Sequence, residues 1–326
     1  MIRKSVQRFS EEIMPKQESI MAEHYERLGL VYGATGASWH RSHCQNPFVQ
    51  QLSPTLYRVH FAARDEKNRS QGAWADIEVT GAGLVVKEAA PAPSLTLGRL
   101  GAFDDCGAMP GSIVAHQGRL LMYYTGWTLA RAVPFTFFIG AAESRDGGKT
   151  FQKVSEAPVL GRNHFDPFLT GAPWVVAEGG RLRMWYISGT EWVPGATLSE
   201  PPTHYYSIKH AMSDDGITWQ VNDRLCLPYL ENEHAIARPV VMKVDDGYRM
   251  IYSARRLGET YRIYSATSPD GLSWQREASP MIDVASSGWD SEMVCYGSRL
   301  ETPQGNFLLY NGNAYGKDGF GAARWT

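Results

Sequence analysis

The chain has 326 residues, with 32 Lys and Arg against 34 Asp and Glu and a formal net charge of -2. That balance excludes a general nucleic-acid surface, which needs clustered excess positive charge. An apolar share of 43% against 20% charged residues excludes disorder as the main state. No run approaches the ~20 apolar residues of a transmembrane helix, so no membrane partner is expected. The charged start, Met1 to Glu18, does not read as a secretory signal. Cys44, Cys106, Cys226 and Cys295 lie far apart, with no C-x-x-C pair and no zinc spacing, and read as reduced thiols of a cytoplasmic protein.

In chain order, residues 1–27 read as a helical or mobile arm, since Ser10, Ile13, Ile20 and Met21 allow one or two amphipathic turns. Leu28–Tyr32 is a free β-like segment. From about residue 40 one pattern then runs five times, at intervals of about 60 residues. Its clearest element is a short tyrosine-bearing or aromatic strand: Tyr57–Phe61, Arg119–Tyr124, Arg181–Tyr186, Tyr248–Tyr252 and Asn306–Tyr310. After the middle three comes an Asp-Gly hairpin, in Ala141–Phe151, Ala211–Trp219 and Ala266–Trp274. The Asp-Gly pair supplies the positive φ that a tight turn demands. Before each aromatic strand stands a polar lead residue followed by small, β-branched or Pro residues: Asn46, Asp105, Asp166, Glu233 and Glu292.

Repeated four-stranded antiparallel units of this kind describe a β-propeller. The expected fold is all-β, a single five-bladed β-propeller over residues 28–326. Its last unit runs out at its third strand, Gly321–Trp325, so the ring should be closed by the N-terminal strand, removing an exposed edge.

The innermost strand of each blade lines the axis, so four acidic leads out of five should converge on one funnel. Asp105, Asp166, Glu233 and Glu292 are therefore the candidate catalytic groups. Crowded carboxylates cannot all ionise, and a protonated one beside an ionised one is what glycoside hydrolysis requires. Arg41, His43, Asn46, Arg64, Asp104, Trp127, His164, His234, Arg238, Asp290 and Tyr315 lie near those strands and are candidates for substrate binding. The arginines suit a bidentate contact with an anionic group; Trp127, Trp192, Trp289 and Tyr315 suit stacking on a sugar ring. His43, His164 and His234 have no metal-ligand spacing and read as hydrogen-bonding groups, so neither metal nor cofactor is expected. The aspartates in the hairpin turns, Asp146, Asp215 and Asp270, read as folding devices.

The five units, the acidic leads, Asp166-Pro167 and the Ser-x-Asp-Gly hairpins resemble the five-bladed propeller glycoside hydrolase superfamily, with families 43, 32, 62, 68 and 130. Ala63–Ser70, Phe103–Pro110, Ala235–Pro239, Trp289–Met293 and Tyr310–Gly316 carry a closer likeness to an uncharacterised bacterial branch linked to surface-polysaccharide loci. The resemblance implies an Asp base or nucleophile on the first blade, a supporting Asp on the second and a Glu acid on the third. This chain departs from that pattern at Asn46 and Asp166. The chemistry is therefore expected to have moved around the ring, with Glu233 or Glu292 as acid, Asp105 or Asp166 as base, and Arg238, Arg41 and Arg64 orienting an anion.

The leading expectation is a glycoside hydrolase-like enzyme acting by hydrolysis or phosphorolysis on a small glycoside or activated sugar, an anionic one included. Asn46 favours an alternative, a non-catalytic carbohydrate-binding or assembly propeller. A sugar-modifying transferase of a biosynthetic pathway is the third reading.

Overall fold

A computed structural model of the chain describes residues 24–197 and 199–325. Most of the predicted N-terminal arm, residues 1–23, therefore lies outside the described residues. Its end does not: Tyr25–Arg27 already belong to the first strand, β1 (Tyr25–Tyr32).

Antiparallel pairing sorts the strands into consecutive groups. The first holds β2 (Ser42–Gln51), β3 (Leu56–Arg64), β4 (Ser70–Thr80) and β5 (Gly83–Ala89). The second holds β6 (Gly107–His116), β7 (Arg119–Leu129), β8 (Phe135–Ser144) and the short β9 (Gln152–Lys153). In the third, β10 (Thr170–Glu178), β11 (Arg181–Val193) and β12 (Thr203–Ser213) are followed by two isolated bridges, Met212 to Gln220 and Lys209 to Leu225. The fourth is β13 (Glu233–Val244), β14 (Gly247–Arg256), β15 (Arg262–Ser268) and β16 (Gln275–Arg276). The last contains β17 (Cys295–Thr302), β18 (Gly305–Asn311) and β19 (Phe320–Trp325), and β1 pairs antiparallel with β19. One short helical turn, α1 (Asn313–Gly316), precedes β19.

The apolar core lies between groups. Phe48 and Leu95 of the first meet Met122 and Tyr124 of the second. Leu121 and Tyr123 meet Leu182 and Met184 of the third. Trp185 and Ile208 meet Val241 and Met250 of the fourth, and Ile251 and Ile263 meet Leu308 and Ala323 of the last. Finally Leu309 and Phe320 of the last group pack on Val59 and Phe61 of the first. Each sheet is thus apolar on both faces, which accounts for the unbroken apolar runs in its middle strands.

The three Asp-Gly hairpins share one geometry. Ser144, Ser213 and Ser268 donate to Asp146, Asp215 and Asp270 at 2.8, 3.0 and 3.0 Å. Gly147, Gly216 and Gly271 take φ of 72°, 77° and 74°, the left-handed region only glycine enters freely. Each turn carbonyl then accepts from the preceding group: Gly147 O from Arg58, Gly216 O from Tyr123 and Gly271 O from Trp185. These turns tie adjacent sheets together.

Candidate active-site cavity at the hub

The first strand of every group carries a β-bulge at the same place. Register breaks fall between Gln45 and Phe48, Pro110 and Ser112, Gly171 and Trp174, Ala237 and Val240, and Cys295 and Ser298. In four of the five bulges a non-glycine residue has positive φ: Asn46 at 59°, Ala172 at 45°, Arg238 at 53° and Tyr296 at 58°. Such backbone costs about 1–2 kcal/mol per residue and persists only where surroundings enforce it. Here they do so in three cases. The amides of Asn46, Ala172 and Tyr296 donate to Asn311, Thr125 and Ser253 at 2.8, 2.7 and 2.8 Å. Each acceptor directly follows the tyrosine of a neighbouring group's second strand.

A bulge re-aims a side chain. These five aim Asn46, Met109, Ala172, Arg238 and Tyr296 into one cavity of about 290 Å³. Second and third strands add Arg64, Thr125, Trp127, Phe135, Phe137, His204, Tyr206 and Arg255, the β14–β15 loop adds Tyr261, and α1 adds Tyr315. One side is aromatic: Phe135 stacks on Phe137 with centroids 4.5 Å apart and meets Trp192 edge-on. The rest of the lining includes a cationic and phenolic cluster, which Phe135 meets through His204, their ring centroids 5.7 Å apart. Arg255 donates to His204 Nε2 at 2.9 Å and to the Tyr315 hydroxyl at 3.3 Å, and lies 4.8 Å from the Tyr261 ring centroid. The Tyr206 and Tyr261 hydroxyls hydrogen-bond to each other.

No Asp or Glu lines this cavity among the described residues. None of its three arginines forms an ion pair with a described carboxylate. Burial lowers the Arg64 pKa and brings that of Arg238 down to about 9. His204 is held at about 3 by burial, by Arg255 and by His234, so it is neutral at physiological pH.

Of the residues singled out from sequence, Asn46, Arg64, Trp127, Arg238 and Tyr315 reach the cavity. The predicted convergence of acids does not occur there. Asp166 is fully buried; it accepts from Tyr186 and Ser188 and pairs with Lys209 at 3.2 Å. Asp104 accepts from Tyr124 and pairs with Lys153, while Asp290 accepts from Tyr310 and pairs with Arg27. In all three the acid and tyrosine are 20 residues apart. Glu233 is clamped by Arg276 at 2.8 and 2.9 Å. The repeated acid is thus a strut, tying the loop before the first strand to the second strand in the second, third and last groups, and β13 to β16 in the fourth. Burying such a charge requires the cation and hydroxyl that meet it.

Asp105 is only partly buried and accepts from the Gly101 amide at 2.9 Å. Burial pushes its pKa up, but donors from Thr128, Gly101 and Cys106 outweigh that and hold it below the usual value. The Glu292 and Arg41 side chains are exposed, as is His164, which meets Phe165 edge-on. His43 and His234 are buried. His43 bonds Ser42 Oγ and is held at about 4, chiefly by burial; His234 bonds the His204 carbonyl. Sequence reading missed Arg255, His204, Tyr206, Tyr261 and Tyr296. The X-Pro steps Asn46-Pro47, Met109-Pro110, Ala172-Pro173 and Arg238-Pro239 mark four of the five bulges, a signal that points to Met109 and Ala172 but to none of these five.

No family model matches the chain. It is 37% identical over 302 residues to uncharacterised proteins of Mycobacterium tuberculosis strains CDC 1551 and H37Rv, spanning 92% of this chain and 98% of theirs. Among solved structures it resembles a glycoside hydrolase with a TM-score of 0.69 at 14% identity, over 92% of both chains. A glycosyl hydrolase from Bacteroides ovatus gives 0.67 at 15% identity over 93% of both. A thermostable family-43 glycoside hydrolase gives 0.62 at 16% identity, over 87% of this chain and 88% of that one. At such identities the likeness concerns the fold. The chain belongs to the family of these mycobacterial proteins and has the fold of the propeller glycoside hydrolases.

Proposed function

We propose that the five strand groups are the blades of a five-bladed β-propeller closed by β1, and that its hub takes a small, negatively charged glycoside or activated sugar in a glycoside hydrolase-like role. The closed circuit of apolar seams, from the last group back to the first, supports the ring. The cavity carries the ligand reading. It brings three arginines without carboxylate partners together with an aromatic wall, the combination of surfaces that a charged sugar ring needs.

Recognition is the part of this role that the cavity supports best. Hydrolysis by paired carboxylates would need two acids at the reacting bond, and none lines the cavity among the described residues. The alternative of a carbohydrate-binding propeller gains from that observation. Hydrolytic turnover draws its support from the shared fold. For it, Asp105 is the acid to test: it stands four residues before Met109, and its lowered pKa keeps it ionised.

Calorimetric titration of the full chain with monosaccharides and their acidic derivatives tests the ligand reading. The expected result is binding that Trp127→Ala and Arg255→Gln weaken. Absence of binding across neutral and acidic sugars, with the protein folded, overturns it. Release of reducing sugar from bound ligands, lost in Asp105→Asn, would establish turnover; binding without release leaves recognition alone.

A further inference from the structure

We propose that the hub ligand carries a phosphoryl group, seated between Arg64, Arg238 and Arg255, with its sugar ring against the wall of Trp127, Phe135 and Phe137. This deepens the hub reading above and rests on it.

The three guanidinium groups are held by neutral acceptors. Arg238 donates to the Gly111 and Asn46 carbonyls at 2.8 and 3.4 Å. Arg64 donates to Asn68 and Gln45 at 3.0 and 3.1 Å, and Arg255 to His204 and Tyr315. Such partners fix orientation without cancelling charge, which is how a preorganised anion site is made. In each of the three, Nε is buried and has no hydrogen-bond partner. Arg238 is 1% exposed and occupies a strained backbone position that brings it to the cavity. Burying cations without counter-charge is costly. An anion arriving from solution would offset that cost for Arg64 and Arg238, whose pKa values burial lowers.

The number of donors selects the anion. A carboxylate has one charge and two oxygens, which a single guanidinium fork satisfies. A phosphate monoester has a charge of about -1.5 to -2 and three acceptor oxygens, which suits a site built from three guanidinium groups. The cavity of about 290 Å³ sits at the small end of the ~300–1,000 Å³ usual for ligand pockets. That favours a hexose phosphate over a nucleotide sugar. The low pKa of Arg238 agrees with a cation awaiting its partner.

Isothermal titration of the full chain with glucose 1-phosphate, glucose 6-phosphate, glucose, glucuronate and inorganic phosphate tests the proposal. Phosphorylated sugars are expected to bind about tenfold or more tightly than glucose or glucuronate, with affinity falling as salt rises. Inorganic phosphate, which requires no choice of sugar, should bind and compete with them. Arg64→Gln and Arg255→Gln should each lose about tenfold toward phosphorylated ligands and less toward glucose. Glucuronate or glucose matching the phosphates overturns the proposal and leaves the hub reading standing. So does an equal loss for all ligands in the variants. Silence from every compound removes both. If a variant fails to fold, the comparison among ligands on the unaltered chain decides alone.

Discussion

Asp166 shows why an acid repeated at a fixed phase need not be a catalyst. It has no exposed surface and is met by Tyr186, Ser188 and Lys209. Removing the charge strands a buried lysine, so Asp166→Asn should destabilise the chain by about 3–5 kcal/mol. Urea denaturation measures this; a loss under 1 kcal/mol contradicts the strut. Glu292→Gln, on an exposed side chain, should stay within about 0.5 kcal/mol. Histidines add a pH response. His43, His60, His204 and His210 are held at about 4, 3, 3 and 4, chiefly by burial. Unfolded, they take up protons near pH 6.5. Their contribution to stability is therefore full above about pH 6.5 and is lost as pH falls toward 4 and 3. The thermal midpoint should drop over that interval and drop less in His60→Gln; a flat midpoint would contradict the assignment.

At the scale of the element, bulge and hairpin divide the labour. The hairpin is local, and its Ser-x-Asp-Gly signature is readable in sequence because every contact that shapes it lies within a few residues. Gly216→Ala would force a side chain into positive φ with its Cβ 2.7 Å from the Tyr123 hydroxyl. A loss of about 1–3 kcal/mol is expected on calorimetry. Asp146, Asp215 and Asp270 are held at about 2, by hydrogen bonds within their turns. With pKa values below those of the unfolded chain, they stabilise the fold above about pH 4, and that support fades as pH falls to 2. Bulges are different. Each depends on a hydrogen-bond acceptor, or on packing, supplied by another group. An inserted residue also reverses which side chains face inward. Of the acidic leads, Asp166 turns back onto a tyrosine and Glu233 onto an arginine, while residues four to six places after the four leads, Met109, Ala172, Arg238 and Tyr296, reach the cavity. Asn46 alone is both lead and bulge.

Over the whole molecule the proposed ring makes the stability of each group depend on its neighbours. β1 covers the edge of β19, and Arg27 neutralises Asp290. Deleting residues 1–32 should expose that edge and strand that acid together. Aggregation on size-exclusion chromatography and a lowered thermal midpoint are expected. A monomeric deletion variant with an unchanged midpoint would remove β1 from any closing role.

Aromatic strands at a regular interval, glycine-bearing turns and a missing last strand are short-range features, and these the sequence by itself determined: an all-β chain of repeated antiparallel groups. Arg64, Trp127 and Arg238 could also be picked out, because they stand beside those strands. Which polar side chains face the hub was decided only by tertiary structure. Arg255 and Tyr261 belong to one hairpin, Arg64 to a strand nearly two hundred residues away. Their convergence, and the diversion of the acids into lysine, arginine and tyrosine struts, follows from how sheets pack and where bulges flip a side chain, which no spacing along a polypeptide encodes.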